Sequence, residues 1–356
     1  MRAQDLRSLP WGDAVCGGII CAVPAILAAL LHTPMLAWSA IAAFWTALSD
    51  PACSRSQRLQ VALAFGLVGA LAAGCGSAAS GHAWQAVVLA AAAGCAGAYI
   101  QSANAVIGLP ALLAATALAV ATALPGHDRA HALAYAGYFL GGSLWAIAFR
   151  LLVWAAVAPT ADADGGRLDW ALACRQLRDN LHHGSRWFWH ALRVGLASAM
   201  AVGVVALCGL DHGYWLILTT FLTMQPEFAA TLKLSMRRVV GTLLGSLLAA
   251  GIGVCVQAPL PLALLILPLA VGTFMTRRRN YLLFLLFLTP QFVIVAHLAQ
   301  PLDSELNLIS VRIWNSFGGA VLSIVIASLA YWGQSSAMAD LQRNPATRMV
   351  DESRGG

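Results

Sequence analysis

Residues 276–298 read TRRRNYLLFLLFLTPQFVIVAHL and place three consecutive arginines directly before a long apolar run. A helix needs about 20 apolar residues to cross a bilayer core of about 30 Å, and this run has nearly that length. Arginines beside such a run mark a loop on the side of the membrane where positive charge is retained. The stretch therefore predicts a membrane-spanning helix that is interrupted by a polar Thr-Pro-Gln segment.

The whole chain shares this apolar character. It has 356 residues, of which 60% are hydrophobic and 10% are charged, whereas soluble domains have roughly 45–50% apolar and about 25% charged residues. Unpaired backbone amides are costly in lipid, so long apolar runs must form helices, and continuous apolar runs do not fit the alternating strands of a barrel. We expect an all-α, polytopic membrane helical bundle in contact with the lipid bilayer.

About twelve spans of this kind can be placed. If the N-terminus is cytoplasmic, all of the 21 Lys and Arg residues except Arg129 and Arg312 fall on the inner side, as the positive-inside rule requires. This distribution predicts a multi-pass protein with cytoplasmic N- and C-termini. The predicted spans are 14–31, 35–49, 60–79, 84–100, 105–124, 132–157, 191–209, 213–225, 239–257, 260–276, 281–299 and 310–332.

The two halves of the chain overlay with an offset of about 175 residues, which places Pro51 on Pro226 and Gly142 on Gly319. Six spans per copy return each copy to the same side, so we expect two parallel six-helix repeats with a pathway between them. The predicted units are a first repeat over 1–158, a cytoplasmic linker with an amphipathic helix over 159–189, a second repeat over 190–334, and a cytoplasmic tail over 335–356.

The second span of each half is unusually short. The stretches before Pro51 and Pro226 hold too few apolar residues to cross the bilayer comfortably. Short or interrupted segments at matching positions of two halves point to a transporter's binding site. A re-entrant pair is the alternative, but it would invert every later loop of its half, so we favour short crossings.

The last span carries a polar stripe. Arg312, Asn315, Ser316, Gly319 and Ser323 follow helical spacing and lie on one face. An ionisable residue within a membrane is by default a functional hypothesis. Two interpretations of Arg312 remain open at this stage: contact with an anion, or an interfacial anchor that reaches the outer surface.

Other polar groups are open to similar alternatives. Pro290 frees a backbone acceptor beside Thr289 and Gln291. His297 is either a proton carrier or a packing residue, and Glu227 is either a proton-coupling carboxylate or a solvated loop acid. A further set of basic residues either fixes orientation or gives the cytoplasmic mouth a positive field for anions; it comprises Arg277, Arg278, Arg279, Lys233, Arg237 and Arg238.

The second half resembles the membrane module of the fusaric acid resistance (aromatic acid exporter) family over about residues 190–332. The similar strings are HGYWLILTTFLTMQPEFAATLKLSMRRVVGTLLGSLLA at 212–249 and RRRNYLLFLLFLTPQF at 277–292. The resemblance implies a bacterial inner-membrane permease or efflux component for aromatic carboxylic acids, often with a periplasmic adaptor subunit. Many members carry a large cytoplasmic domain, and this chain has only a short linker at that place.

We therefore expect a proton-coupled exporter of a small organic anion, which binds between the halves and leaves past Arg312. A passive anion channel is the alternative. The predicted substrate-binding residues are Arg312, Asn315, Tyr214, Trp215, Gln225, Thr289 and Tyr281. Glu227 and His297 are the candidates for proton coupling, and Arg238, Arg277, Arg278 and Arg279 are the candidates for the cytoplasmic mouth.

An enzyme is not indicated. The eight cysteines are scattered singly without metal-ligand spacing, and the sequence has no catalytic serine motif, zinc-protease motif or phosphate-binding loop. We expect no metal, no cofactor and no nucleic-acid partner, and we consider a homo-oligomer possible.

Overall fold

The computed structural model describes residues 11–51, 53–126, 128–156, 169–182, 185–300 and 305–343. Residues 159–168, 183 and 184 of the predicted linker and 344–356 of the predicted tail lie outside these ranges. The described ranges form helices and contain no strand, which confirms the all-α prediction. The helices are α1 Trp11–Leu30, α2 Trp38–Leu48, α3 Arg55–Ala79, α4 Ala83–Ile100, α5 Ala105–Ala121, α6 Arg129–Ala156, α7 Trp170–Asp179, α8 Arg186–Cys208, α9 Tyr214–Thr223, α10 Phe228–Cys255, α11 Pro259–Thr276, α12 Tyr281–Ala299 and α13 Glu305–Arg343, with a 3₁₀ turn at Pro34–Ala37 before α2.

Nine helices of the described ranges are long and apolar enough to cross a membrane. Three further apolar helices are shorter, at Pro34–Leu48, Val106–Ala121 and Tyr214–Thr223. Together they correspond one to one with the predicted spans. The remaining helix, α7, is the predicted amphipathic helix of the linker. The protein is therefore a polytopic helical bundle.

The short helices α2 and α9 lie at the centre of the bundle. Nearly every residue of both is buried, including Trp38 and Trp45 in α2 and Tyr214 and Trp215 in α9. A helix that is apolar on all sides needs neighbours on all sides. Since α9 has 10 residues, it is only about 15 Å long. The longer helices around it meet the bilayer instead.

Helix α10 begins earlier than the hydropathy predicted. The expected span starts at 239, whereas the helix starts at Phe228, directly after the Pro226 break. Residues 228–238 contain no Gly or Pro and are rich in good helix formers. Lys233, Arg237 and Arg238 therefore belong to a helix rather than to the loop predicted for them.

The two halves have the same internal packing, as expected for parallel repeats. Each helix pair of the first half has its counterpart in the second: α3–α6 with α10–α13, α3–α5 with α10–α12, α2–α6 with α9–α13, and α4–α5 with α11–α12. The halves also exchange contacts reciprocally, because α4 packs on α8 and α11 packs on α1. The duplication seen in the sequence is thus present in the helix packing.

A glycine at the same position in each half allows two helices to approach closely. A Cβ added to Gly142 would lie 2.2 Å from the carbonyl oxygen of Ser39, and one added to Gly319 would lie 2.5 Å from that of Leu216. Backbone atoms cannot move aside as side chains do. These glycines let α6 and α13 contact the short central helices directly.

We expect Gly319→Ala to lower the free energy of unfolding by about 1–3 kcal/mol, because the methyl group overpacks a backbone contact. Gly318→Ala is the matched control on the same turn. Its Cβ would lie 3.4 Å from Leu216 Cδ1, an ordinary contact, and alanine is favoured over glycine in a helix by up to about 1 kcal/mol. Unfolding in a detergent titration measures the stability of each variant. Equal stability of the two variants would contradict this packing.

Candidate functional site

A small cavity lies between the halves, where α2 and α9 meet. It has a volume of about 60 Å³, which is room for a few water molecules at about 10–15 Å³ each. Its walls come from α2, α3, α5, α6, α9 and α12. Its aromatic lining comprises Trp38, Trp45, Tyr135, Phe139, Tyr214, Trp215 and Phe292.

The rings of this cavity contact one another both across the seam between the halves and within the second half. The ring centroids of Trp38 and Tyr214 are 6.0 Å apart with an edge-to-face geometry. Trp215 is stacked against Phe292 with centroids 6.2 Å apart. Such arrangements suit the binding of a flat aromatic molecule, which offers both faces and edges. Of the predicted substrate-binding residues, Tyr214 and Trp215 thus line the cavity.

Arg312 lies directly beside this wall. Its guanidinium carbon is 3.9 Å from the ring centroid of Trp215, and the side chain is only 2% exposed. Nε and Nη1 of Arg312 are buried without a hydrogen-bond partner. The anchor interpretation required Arg312 to reach the outer surface, and the structure instead places it inside the protein. Buried guanidinium donors normally have acceptors, so these two nitrogens can donate to an anionic ligand.

The repeat shows how specific this arrangement is. Tyr135 occupies the position of Arg312 in the first half, and Trp38 occupies that of Trp215. Tyr135 and Trp38 form an ordinary edge-to-face pair with centroids 6.3 Å apart. Of these two corresponding tryptophans, Trp215 has an arginine over its ring and Trp38 has a tyrosine beside it.

Arg238 is the second buried arginine and is 3% exposed. Its Nε donates to Thr219 Oγ1 at 3.2 Å, and its Nη1 donates to the Tyr281 hydroxyl at 3.4 Å. The sequence had assigned Arg238 to the mouth, and the structure places it and Tyr281 between α9, α10 and α12. Among the residues whose side-chain burial the structure describes, no aspartate or glutamate is buried. The interior of the second half thus has two positive charges without a buried counter-charge.

Other predicted substrate-binding residues lie apart from the cavity. The Asn315 amide donates to the carbonyl oxygens of Asp211 at 2.9 Å and His212 at 3.2 Å, which holds the turn before α9. Thr289 is buried against Gly245 of α10. The Gln225 backbone is held by the Thr231 hydroxyl at the end of α9. These residues support the central helices, and their predicted role toward a substrate stays a prediction.

The candidates for proton coupling differ in their surroundings. Glu227 has a side chain that is 74% exposed and lies 3.8 Å from Arg186. His297 is half-buried near the end of α12. Neither residue lines the central cavity.

The loop arginines lie at one end of the bundle, which we call the basic end; it carries Asp50, Arg58, Arg150 and Arg277. Arg277 is half-buried, donates to the Leu48 carbonyl oxygen at 3.4 Å, and has a pKa that burial lowers. Arg278 and Arg279 are exposed. They can contribute a positive field at this end, as predicted for the mouth.

Sequence reasoning missed an ion-pair cluster around Asp50 at this end. Arg58 Nε donates to Asp50 Oδ1 at 2.7 Å, and its Nη2 contacts Oδ2. Arg150 Nη2 lies 3.1 Å from Oδ2 of the same carboxylate, and its Nη1 lies 3.3 Å from Asp13 Oδ1. The available signal was the position of Asp50 before Pro51, where the second half has the neutral Gln225. The cluster joins the ends of α1, α2, α3 and α6.

Comparison with known proteins supports the resemblance. Residues 199–326 match the family model of fusaric acid resistance protein-like domains. The chain is 33% identical to the inner membrane protein YccS of Escherichia coli over 96 residues, which cover 27% of this chain and 13% of YccS. It is 27% identical to protein slr1298 of Synechocystis over 146 residues, which cover 41% of this chain and 19% of that protein.

It is also 38% identical to an ORF2 product of Neisseria gonorrhoeae over 69 residues, which cover 19% of this chain and 16% of that protein. The chain thus spans less than a fifth of the length of these curated relatives. No solved structure matches it. Residues 199–326 are therefore similar to fusaric acid resistance protein-like domains, and the chain that contains them is a multi-pass helical membrane protein.

Proposed function

We propose that the protein is an inner-membrane permease that exports small aromatic carboxylic acids or related toxic anions, and that it is not an enzyme. The observation that carries this proposal is Arg312, buried over Trp215 with two partnerless nitrogens. A carboxylate would satisfy these donors and offset the buried charge. The aromatic wall beside it would hold the ring of the same ligand.

The cavity sets a condition on the mechanism. A volume of about 60 Å³ holds a few waters but not an aromatic acid. Binding therefore requires the two halves to move apart along the seam at α2 and α9. A site between parallel repeats, opened alternately to either side, is the arrangement of a secondary transporter.

In this proposal the basic end and both termini face the cytoplasm. Arg277, Arg278 and Arg279 attract anions to the inner mouth. Trp215 and Tyr214 then hold the ring while Arg312 binds the carboxylate. Partners of the transporter are a periplasmic adaptor subunit and further copies of the chain.

The proton gradient is the proposed driving force, with Glu227 and His297 as the coupling groups. Proteoliposomes with an imposed pH gradient test this proposal with 4-hydroxybenzoate as the probe. We expect accumulation at least tenfold above empty liposomes and its collapse on addition of a protonophore. Glu227→Gln is expected to abolish this accumulation while downhill flux persists.

The same assay distinguishes the proposed exporter from a passive anion channel. A passive channel would carry 4-hydroxybenzoate current without a pH gradient and would never accumulate the anion. No flux of any kind in the presence of correctly folded protein would reject both transport functions. Unchanged accumulation by the Glu227→Gln variant would remove Glu227 from the coupling mechanism.

A further inference from the structure

A long apolar groove lies in the first half, away from the central cavity. It has a volume of about 510 Å³, and its walls are α3, α4 and α5. Apart from Gln60 at one end, its lining side chains are apolar, and many of them are alanines. Helix α7 lies across the basic end of the groove, where Trp170 and Leu177 join the lining.

Comparison with the second half shows why the groove is open at two paired positions. Ala111 of α5 corresponds to Phe287 of α12, and Gly97 of α4 corresponds to Gly272 of α11. The Phe287 ring fills the space over Gly272, since a Cβ there would lie 2.8 Å from it. In the first half the atoms nearest to a Cβ on Gly97 are the Cβ of Ala115 and backbone atoms of α5. Replacement of one aromatic ring by a methyl group thus leaves the groove open.

The length of the groove matches one leaflet. Its lining on α3 runs from Gln60 to Ala72, which is about 18 Å at 1.5 Å per residue. Half of a bilayer core of about 30 Å is about 15 Å. Because Gln60 is near the start of α3, the groove runs from the basic end toward the middle of the membrane. An apolar site of this shape stays dry and suits one acyl chain.

Helix α7 adds charge at the mouth of the groove. The Tyr99 hydroxyl donates to the Leu177 carbonyl oxygen, which ties α7 to the end of α4. Arg175 and Arg178 are exposed on this helix together with the apolar Leu172. A short helix with exposed apolar and basic side chains is typical of the membrane interface.

Within the described residues, no ion pair joins an acid of α7 to Arg175 or Arg178. Asp169 is turned toward its own helix, where its carboxylate accepts from the Leu172 amide and caps the N-terminus. Asp179 ends the helix beside Arg178. Two guanidinium groups at the level of lipid headgroups are well suited to a phosphodiester.

We propose that this groove binds one acyl chain of an anionic membrane phospholipid, whose phosphodiester contacts Arg175 and Arg178. The proposal does not depend on transport. Native mass spectrometry of the full chain in mild detergent tests it, with dioleoyl phosphatidylglycerol and dioleoyl phosphatidylcholine as probes. We expect one phosphatidylglycerol to be retained at a concentration at least fivefold lower than phosphatidylcholine.

Ala111→Phe introduces the residue of the second half and should reduce lipid retention at least tenfold. Ala92→Phe is the matched control, because it adds the same ring at an exposed position of α4 outside the groove; its retention should stay within twofold of wild type. The double variant Arg175→Gln/Arg178→Gln should still bind lipid but lose the preference for phosphatidylglycerol.

Ala64→Leu, on the opposite wall of the groove, replaces Ala111→Phe if that variant is not monodisperse. Full lipid retention by both filling variants would overturn the proposal. So would equal retention of the two lipids by the wild-type protein, or a mass that shows a second copy in place of a lipid.

Discussion

Arg312→Gln is expected to weaken the binding of 4-hydroxybenzoate by about 10–150-fold without destabilising the fold. A hydrogen bond to a charged group contributes about 1.5–3 kcal/mol, and each 1.4 kcal/mol is tenfold in Kd. Two nitrogens of the buried guanidinium have no hydrogen-bond partner, so replacing the side chain removes an uncompensated charge. The apparent Tm should therefore stay unchanged or rise, since function and stability conflict at such sites.

Two matched variants sharpen this test. Arg312→Lys keeps the charge but loses the planar stack on Trp215, and an intermediate loss of about tenfold is expected. Arg279→Gln removes an exposed arginine of the basic end and should leave the Kd within about twofold, because exposed charges act weakly. Titration calorimetry gives the Kd, and thermal unfolding in detergent gives the Tm. A large fall in Tm with an unchanged Kd would make Arg312 a purely structural residue.

The spans and the duplication were predictable because each rests on a local pattern. Apolar runs predicted all twelve apolar helices, and the matching prolines and glycines predicted the repeat. The polar stripe of the last span was also predictable. Arg312, Asn315, Ser316 and Ser323 are all buried on one face of α13.

The partners of these side chains were not predictable, because they come from distant parts of the chain. The spacing of Asn315 indicates a buried face but not that its amide holds the turn at Asp211 and His212. The buried position of Arg238 was missed because Lys233, Arg237 and Arg238 together have the composition of a loop. Its helical spacing from Ser235 and Thr242 was the available signal, since all three lie on the buried face of α10.

The partners of Asp50 also come from distant parts of the chain and were not predictable. Replacing Asp50 is the second change for which we expect a large effect. Asp50→Asn is expected to lower the free energy of unfolding by about 1–3 kcal/mol, because it removes the carboxylate that Arg58 and Arg150 share. The side chains of Asp50 and Arg150 are each 15% exposed, which places this pair between a surface ion pair and a fully buried one. Denaturation of the detergent-solubilised protein with increasing dodecyl sulfate measures the change.

Asp13→Asn is the matched control, since Asp13 shares the partner Arg150 but its side chain is 76% exposed. Asp13→Asn should lower the free energy of unfolding by about 0–1 kcal/mol. A double-mutant cycle between Asp50→Asn and Arg58→Gln should give a coupling of about 0.5–3 kcal/mol, as expected for residues in one network. Equal effects of Asp50→Asn and Asp13→Asn, with no coupling to Arg58, would show that the cluster does not hold the ends of α2, α3 and α6 together.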